Sequence, residues 1–407
     1  MIDETHDPKL KSWVESANRE DCDFPIQNLP LGAFRMRNDS RAHLGVAIGD
    51  FILDMGEWLN GESLNGYMSL PARQRRELRR QLSRALAKGS RERELVAQSE
   101  CEMLLPAVIG DYTDFYASIH HAQNVGSMFR PDSALLPNYK HVPIAYHGRS
   151  SSIVVSGTPV VRPLGQLGEG QFGPSKNLDY ELELGVFLGP GNTMGETIAI
   201  GEAEQHIAGV CLLNDWSARD IQRWEYQPLG PFLAKNFATT ISPWLVTLEA
   251  LEPFRVPSTE HDTPVLPYLQ APQPGAFDIT LEVELRSAAM TQPALVSRSY
   301  FKDLFWTLAQ MVAHHSSNGC PLRAGDLIAS GTISGPHKEN RGCLLERTWR
   351  GTEPLQLPSG EERAFLEDGD EVILRGYCMR EGFARISLGS CRGTIQPQPK
   401  NAKASTQ

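Results

Sequence analysis

The chain has 407 residues, of which 41% are hydrophobic and 22% are charged, and its formal net charge is −10. This is the composition of a globular protein, and the length is enough for two hydrophobic cores. The acidic balance argues against a nucleic-acid partner that needs a basic face, and no apolar run is long enough to span a membrane.

The ends of the chain and its cysteines bear on its compartment. The first twenty residues are polar and mixed in charge, so we expect neither a signal peptide nor a transit peptide. Seven cysteines, from Cys22 to Cys391, form no CxxC pair. This pattern favours a reducing compartment over a disulfide framework, so we expect a cytoplasmic protein.

The first hundred residues predict a small β-domain with one helix. The sequence is β-like from Phe24, and Gly49 and Asp50 separate two apolar runs as a hairpin turn does. Leucines recur every four residues at 78, 82 and 86, which predicts one apolar stripe of a helix. Nine Lys and Arg residues between Arg73 and Arg93 would then form a solvated face, and the alternative is an anion-binding helix.

The next stretch, residues 111–130, is dense in chemically active side chains. We predict that Thr113 and Asp114 cap a helix over residues 115–125, which leaves Asp114 open to either a capping or a functional role. The two adjacent histidines in this stretch could each have a structural or a catalytic role. The candidate side chains are Asp111, Asp114, Tyr116, His120, His121 and Arg130.

Residues 135–160 contain many Pro, Gly and Ser residues and predict loops and short strands, with Tyr146, His147 and Arg149 close together. The four glycines within 163–176 have neither a strand before them nor a helix after them. A phosphate-binding loop needs that context, so we expect a mobile loop over a site instead.

Two segments share one alternating pattern. Residues 178–189 place Glu181 and Glu183 on the same face of a predicted strand, where they can hold one cation together. Residues 277–287 repeat the alternation with Glu282 and Glu284. Because Glu-x-Glu on a strand is more typical of a solvated face, the second segment is an internal comparison for the first.

Residues 210–244 predict a strand that ends at Asp215 and a helix after it. A strand that delivers an aspartate at its end, followed by a helix with polar side chains at spacings of three and four, is a common way to build a site. The polar side chains of this segment are Arg219, Gln222, Arg223, Tyr226, Lys235 and Thr239.

The C-terminal third begins with the strongest helical pattern, over residues 299–320, with Ser299 as its cap and Gly319 as its end. Two histidines at 314 and 315 fall in its last turn, and we interpret them as structural. Short strands follow, with Thr332 and Glu346 among them, and a polar tail is expected from residue 394.

Four carboxylates from three separate segments are candidate metal ligands. Brought together they repel one another unless a hard cation lies between them, and all-oxygen ligation suits Ca²⁺ or Mg²⁺ rather than zinc. The sequence contains no G-x-S-x-G motif for a serine nucleophile. The four are Asp114, Glu181, Glu183 and Asp215.

Five long motifs together resemble the fumarylacetoacetate hydrolase family: DYTDFYASIHHAQNVGSMFR, YHGRSSSIVVSGTP, LDYELELGVF, LNDWSARDIQRWEY with PLGPFLAK, and SGTISG. FPIQNLPLGAF resembles the small N-terminal domain of that family, and the likeness runs from about residue 24 to 392. It implies a mainly β homodimer. An SH3-like barrel would span residues 1–103, a catalytic β-roll 104–393, and a polar, disordered tail 394–407.

The resemblance also implies roles for single residues. His121 would be the catalytic base and Glu346 the carboxylate that orients it, with Lys235, Arg219 and Gln222 as donors to an oxyanion. The implied substrate contacts are Tyr116, Arg130, Tyr146, Gln222, Tyr226 and Thr332. The implied metal ligands are Asp114, Glu181, Glu183 and Asp215 for Ca²⁺, and Asp215, Lys235 and Thr239 for Mg²⁺.

The implied reaction is hydrolysis of the carbon–carbon bond of 4-fumarylacetoacetate, which gives fumarate and acetoacetate at the end of tyrosine and phenylalanine catabolism. The alternatives are another activity of the superfamily, such as acylpyruvate hydrolysis or 2-oxo-acid decarboxylation or hydration, and a non-catalytic metal-binding scaffold. One departure concerns the second metal: this chain has Ala234 and Ala238 where the family has glycines around its LGKSFGT core.

Overall fold

The computed structural model describes residues 2–37 and 39–399. Within these ranges the chain is mainly β, with 26 strands and seven α-helices, most of them short. This confirms the predicted fold class at the level of mainly β with few helices. No helix in the described ranges is long and apolar enough to cross a membrane.

The N-terminal part is a five-stranded antiparallel sheet with strand order β4-β3-β2-β1-β5. The predicted hairpin is confirmed, because Ile48 pairs with Phe51 and Gly49 adopts φ +56° between them. The elements are β1 Leu31–Met36, β2 His43–Ile48, β3 Phe51–Asp54, α1 Asn65–Met68, α2 Ala72–Leu86, β4 Val96–Ala97 and β5 Cys101–Leu104.

Helix α2 buries the predicted leucine stripe at 78, 82 and 86. The expected solvated face is wrong at two positions, because Arg75 and Arg79 are buried. Arg75 donates hydrogen bonds to four backbone carbonyls, among them that of Ile207 in the C-terminal part. Carbonyl partners satisfy a buried guanidinium, and periodicity alone does not reveal them.

The C-terminal part contains two larger sheets. One has eight strands in the order β7-β6-β22-β13-β14-β16-β8, with β17 added beside β14; the other has five in the order β21-β20-β25-β26-β9. The strands are β6 Tyr112–Phe115, β7 Ala145–His147, β8 Ile153–Val155, β9 Val160–Val161, β10 Leu164–Gly168, β11 Gln171–Pro174, β12 Leu178–Asp179, β13 Leu182–Leu188, β14 Ile207–Asp215, β15 Ser217–Ala218, β16 Thr239–Ile241, β17 Val246–Thr247, β18 Arg255–Val256, β19 Ala276–Phe277, β20 Thr280–Arg286, β21 Ala294–Tyr300, β22 Leu327–Ala329, β23 Leu355–Gln356, β24 Glu362–Arg363, β25 Glu371–Cys378 and β26 Ile386–Gln396.

The two sheets share one hydrophobic core, to which Leu184 and Leu212 contribute from one sheet and Val283 and Leu374 from the other. Five helices lie between the strands: α3 Ile119–Phe129, α4 Arg219–Glu225, α5 Leu248–Leu251, α6 Leu308–Ser316 and α7 Leu344–Arg347. The final strand continues to Gln396, and residues 400–407 of the expected tail lie outside the described residues.

Three local predictions are corrected. Thr113 and Asp114 do not cap a helix, because they belong to β6, which pairs with β22 and β7; Ser118 is the N-cap of α3 instead. Ser299 lies in β21 and does not cap a helix. Helix α6 begins after Thr307, which forms a capping box with Gln310 inside the apolar pattern.

The glycine-rich segment 163–176 is the third correction. It forms the β10–β11 hairpin rather than a loop. The structural interpretation of the two helix-end histidines agrees with their contacts: His315 hydrogen-bonds Thr113 at 2.8 Å and His314 hydrogen-bonds Tyr268 at 3.1 Å.

Candidate active site

A cavity of about 530 Å³ opens between α3, α4 and the strands β6, β7 and β13. Twelve of the candidate residues from the sequence line it, although they come from segments up to 218 positions apart. They are Asp114, Tyr116, His121, Arg130, Tyr146, Glu181, Glu183, Arg219, Gln222, Tyr226, Lys235 and Thr332.

Adjacent strands bring three carboxylates together, and two of them, Asp114 and Glu183, line this cavity. Asp114 lies on β6, Glu183 on β13 and Asp215 at the end of β14, and β22 joins β6 to β13. One carboxylate oxygen from each lies within 4.8 Å of the others, and all three residues are buried. Such a spacing allows one cation to contact all three.

The electrostatics of the three carboxylates favour a bound cation. Burial and then the negative charge of its neighbours raise the pKa of Asp114 and of Glu183 well above the ordinary value, and burial also raises that of Asp215. Asp114 Oδ1 and Glu183 Oε1 are buried and have no hydrogen-bond partner among the described residues. A hard divalent cation would satisfy both oxygens and remove the repulsion, so the donor set fits Ca²⁺ or Mg²⁺.

Glu181 has different partners. Its carboxylate lies 2.8 Å from Arg219 Nη2 and also accepts a hydrogen bond from Lys235 Nζ. Burial would raise the pKa of Glu181, but Lys235 and Arg219 lower it overall. Glu181 is therefore balanced by two side-chain cations, whereas the carboxylates of Asp114 and Glu183 are not.

Lys235 connects Glu181 to the three-carboxylate cluster, since its Nζ also donates to Asp215 Oδ2 at 2.7 Å. Burial would lower the pKa of Lys235, but Asp215 and Glu181 raise it, so the ammonium keeps its charge. An ammonium has no lone pair for a metal. Thr239 Oγ1 lies 3.4 Å from Asp215 Oδ1, and Tyr146 donates to Asp215 Oδ2 at 3.1 Å.

A histidine–glutamate pair lies on another wall of the cavity. His121 Nδ1 is 2.6 Å from Glu346 Oε2, and both side chains are buried. Burial alone would raise the pKa of Glu346, but the charge of His121 and the hydrogen bonds from His121 and Asn124 lower it to about 2. The ionised carboxylate holds Nδ1, which leaves Nε2 as the ring nitrogen for the cavity.

Supporting contacts of Glu346 were not found from the sequence. Asn124 donates to Glu346 Oε1 at 2.8 Å, and Ser334 and Cys343 donate to Oε2 at 2.8 and 3.2 Å. These three residues come from distant segments and no motif joins them, although Asn124 follows His121 by three positions on α3, which is the spacing of one helix face.

The remaining candidates differ in exposure. Thr332 is buried and Tyr116 is half-buried. Burial followed by the charge of Glu346 raises the pKa of Tyr116, so its hydroxyl stays protonated. Arg130 and Tyr226 are exposed at the mouth. Gln222 Oε1 accepts from Arg219 Nη1 at 3.2 Å, and this orientation directs the amide NH₂ group away from Arg219 as a free donor.

Gly331 illustrates how closely the strands approach at the site. It adopts φ +74°, its N–H donates to Glu183 Oε2 at 3.1 Å, and a Cβ there would lie 2.2 Å from the carbonyl oxygen of Phe115. Only glycine fits this position. The glycine of the SGTISG motif therefore serves both the packing of the loop and the orientation of a candidate ligand.

A carboxylate cluster suited to a divalent cation, which shares one cavity with a histidine oriented by a glutamate, is typical of an enzyme site that combines a metal ion with a general base. Comparison with known proteins narrows this class. The family model described as fumarylacetoacetate (FAA) hydrolase, C-terminal, matches residues 111–396, and that described as fumarylacetoacetase, N-terminal, matches residues 27–106. The chain belongs to the fumarylacetoacetate hydrolase family.

Relatives of high identity span nearly the whole chain. Fumarylacetoacetase of Bos taurus is 50% identical over 93% of this chain and 97% of its own length, and that of Homo sapiens is 49% identical over the same shares. Fumarylacetoacetase of Arabidopsis thaliana is 46% identical over 96% of this chain and 99% of its own.

Solved structures of lower identity share the fold. A fumarylacetoacetate hydrolase from Exiguobacterium antarcticum has a TM-score of 0.53 at 17% identity, covering 90% of this chain and 100% of its own. A maleylpyruvate hydrolase from Sphingobium sp. SYK-6 has a TM-score of 0.52 at 15% identity, covering 91% of this chain and 100% of its own. At these identities the likeness concerns the fold alone.

Proposed function

We propose that this chain hydrolyses fumarylacetoacetate to fumarate and acetoacetate, the last step of tyrosine and phenylalanine catabolism. The observation that carries the proposal is the His121–Glu346 pair, whose histidine lines the same cavity as the buried Asp114 and Glu183. The identity of nearly half or more to fumarylacetoacetases over almost the full chain supports this substrate.

The proposed reaction begins with water. His121 Nε2 takes a proton from a water molecule, and the resulting hydroxide attacks the ketone carbon next to the fumaryl group. Glu346 keeps the ring in place and stabilises its protonated form. We propose that Lys235 donates to the tetrahedral oxyanion together with Arg219 and Gln222, because its ammonium has a third N–H beyond the two that contact Glu181 and Asp215.

Collapse of the tetrahedral intermediate breaks the carbon–carbon bond. The electron pair of that bond goes to the acetoacetate enolate, which takes up the proton to give acetoacetate, while fumarate keeps the new hydroxyl oxygen. Asp114, Glu183 and Asp215 could hold a divalent cation, which would supply positive charge to stabilise the enolate as it forms. Tyr116, Tyr146, Tyr226, Arg130 and Thr332 line the space in which we place the substrate.

We assign the main cation to Ca²⁺ held by Asp114, Glu183 and Asp215, with Glu181 as the fourth candidate carboxylate. The carboxylate of Glu181 would then contact the metal as well as Lys235 and Arg219. For Mg²⁺ we propose Asp215 and Thr239. Lys235 acts in that position through its ammonium charge or its backbone, and the flanking Ala234 and Ala238 are both buried.

The proposal also covers the domains, the location and the oligomeric state of the protein. We assign the five-stranded N-terminal sheet to an SH3-like domain over residues 1–103 and the two larger sheets to a catalytic β-roll over 104–393. A cytoplasmic location suits the seven free thiols. A homodimer is supported by large hydrophobic side chains exposed on α4, the loop after it and the β11 strand, namely Phe172, Trp224, Leu229, Phe232 and Leu233.

Two measurements test the proposal. Turnover of fumarylacetoacetate should exceed that of acylpyruvates and oxaloacetate, and a preference for either of the latter would assign the chain to another activity of the superfamily. Cation binding without turnover of any of the three would indicate a scaffold.

Light scattering at micromolar concentration should give a dimer mass, and Leu229→Ser with Phe232→Ser should shift it toward the monomer.

A further inference from the structure

The end of the cavity at the C-terminus of α3 holds two arginines that pair with no carboxylate of the described residues. Arg130 is the C-cap of α3, and its Nη2 lies 3.5 Å from the carbonyl of Ala134. Arg350 Nη1 donates to the carbonyl of Met128 at 3.0 Å. Both line the cavity, and within residues 2–37 and 39–399 neither arginine forms an ion pair.

The cations deeper in the cavity differ from this pair. Arg219 contacts Asp179 and Glu181, and Lys235 contacts Glu181 and Asp215, so protein carboxylates already balance them. The two positive charges at the α3 end are not balanced in this way. They are available to an anionic group of a ligand.

Arg350 is held in place by the surrounding structure. Its guanidinium stacks over the ring of Phe129 at 4.7 Å from the centroid, in addition to its hydrogen bond to Met128. Its backbone, with φ +62°, and that of Trp349, with φ +47°, lie in the left-handed region, which is uncommon for residues other than glycine.

The turn that holds this conformation is closed by its own hydrogen bonds. The N–H of Arg350 donates to the carbonyl of Leu345 at 2.9 Å, and that of Gly351 donates to Thr348 Oγ1 at 3.1 Å. This turn directly follows α7, which carries Glu346. Strained backbone of this kind persists where surrounding contacts enforce it and is concentrated at functional sites.

We propose that Arg350 is a further specificity-determining residue, which binds one terminal carboxylate of the substrate beside Arg130, a substrate contact that the family resemblance already implies. The inference rests on the proposed function, because fumarylacetoacetate carries a carboxylate at each end of its diketone. A planar guanidinium binds a carboxylate through two parallel hydrogen bonds, and two of them at one end select a charged terminus over a neutral one.

The test uses variants that keep the turn. Asparagine tolerates positive φ, so Arg350→Asn removes the cation without new backbone strain, and Arg350→Lys keeps the charge but not the planar group. For Arg350→Asn we expect a KM for fumarylacetoacetate about 10–100-fold higher with kcat changed little, which is the usual effect of losing a charge-assisted contact. Arg350→Lys should fall between this variant and the wild type.

Product inhibition identifies the end of the substrate. Weaker inhibition of Arg350→Asn by fumarate alone, or by acetoacetate alone, would support the binding role of Arg350 and assign its carboxylate. Arg347→Asn is the matched control, because Arg347 also donates to a backbone carbonyl, that of Lys338, but does not line the cavity. It should leave KM and both inhibition constants unchanged.

The outcomes separate this inference from the proposed function. A wild-type enzyme that does not turn over fumarylacetoacetate contradicts the function. A wild-type enzyme that does, with KM and both inhibition constants unchanged in Arg350→Asn, contradicts only the binding role of Arg350. The third outcome is that Arg350→Lys and Arg350→Asn lower kcat and the melting temperature equally and leave KM unchanged. This result would mean that Arg350 only supports the turn, and it would overturn a binding role.

Discussion

Two strands of this chain carry the same Glu-x-Glu alternation and have opposite surroundings. Glu183 lies on β13 in the middle of the eight-stranded sheet and is fully buried, with Glu181 just before the strand and also buried. Glu282 and Glu284 lie on β20 in the five-stranded sheet and are only partly buried. The local pattern therefore does not decide which strand forms a site.

The neighbouring strands make the difference. The strands around β13 bring Asp114 and Asp215 beside Glu183, whereas those around β20 bring arginines: Arg298 lies 2.7 Å from Glu282, and Arg375 lies 3.1 Å from Glu284. Like charges side by side are unfavourable unless a cation binds, while opposite charges across a sheet are ordinary surface pairing. The two buried carboxylate oxygens that have no hydrogen-bond partner among the described residues, Asp114 Oδ1 and Glu183 Oε1, therefore distinguish the β13 site from β20.

The largest effect is expected at the histidine that shares the cavity with the β13 carboxylates. His121→Ala should lower kcat about 10²–10⁴-fold, the usual contribution of general-base catalysis, with little change in KM. Steady-state kinetics with fumarylacetoacetate measure this. His120→Ala is the control, because His120 is half-buried and does not line the cavity within the described residues. A severe loss at His120 with normal turnover at His121 would contradict the assignment.

The next effect concerns acid stability, where the buried Glu346 contrasts with surface carboxylates. Its folded pKa of about 2 lies below the ordinary value of 4.5, so it stabilises the fold above the ordinary pKa and this contribution is lost as the pH falls through about 2. The wild type should therefore exceed Glu346→Gln in unfolding free energy by on the order of 3 kcal/mol above pH 5.

Denaturant unfolding as a function of pH measures this difference. The gap between the wild type and Glu346→Gln should shrink between pH 4.5 and 2, in the range that both pKa values define. A gap that is constant over this range would show that Glu346 is not ionised against His121. Glu346→Gln should also lower kcat, but less than His121→Ala, because the amide still holds the ring.

The third effect compares the two strands directly. In the presence of a chelator, Glu183→Gln should be at least as stable as the wild type, because it removes one of three mutually repelling carboxylates. Added Ca²⁺ should stabilise the wild type and much less the variant. We expect the loss in cation affinity to reach at least the roughly 10–100-fold that removal of a supporting partner causes.

Thermal unfolding during a Ca²⁺ titration measures this prediction, and Glu284→Gln is its matched control on β20. The control should show the same Ca²⁺-dependent shift in melting temperature as the wild type, because Glu284 pairs with Arg375 and not with the carboxylate group. Equal shifts in Glu183→Gln and Glu284→Gln would remove the cation site from β13.

Much of the fold could be predicted from the sequence where local signals are strong. The hairpin at Gly49, the leucine stripe of α2 and the strand that ends at Asp215 all occur as expected. The failures at Thr113 and Ser299 have one cause. Both resemble helix caps locally, but each is paired with another strand of its sheet: Thr113 with Ile328 of β22, and Ser299 with Leu281 of β20. Tertiary pairing overrides a local signal in such cases.

The site shows the same limit. The residue types could be selected from motifs, and the cavity brings most of them together. The division between Glu181, which pairs with Lys235 and Arg219, and Glu183, which has an unpartnered oxygen, depends on distances across strands that no spacing encodes. Arg350 was not found for a related reason, since its role depends on a turn with positive φ at two non-glycine residues.

The smallest effect is expected on β20, where the comparison predicts an ordinary surface pair. Arg298 Nη2 lies 2.7 Å from Glu282 Oε1, and about half of the arginine side chain is exposed. Water and salt screen such a pair, so Glu282→Gln should change the unfolding free energy by less than about 1 kcal/mol. Double-mutant cycles with Arg298→Gln, measured at low and high salt, isolate the pair energy.

Because kcat depends on the cavity and not on this sheet, turnover and Ca²⁺ response of Glu282→Gln should equal those of the wild type. A loss of either would mean that Glu-x-Glu on β20 also serves the site, and the distinction between the two strands would fail.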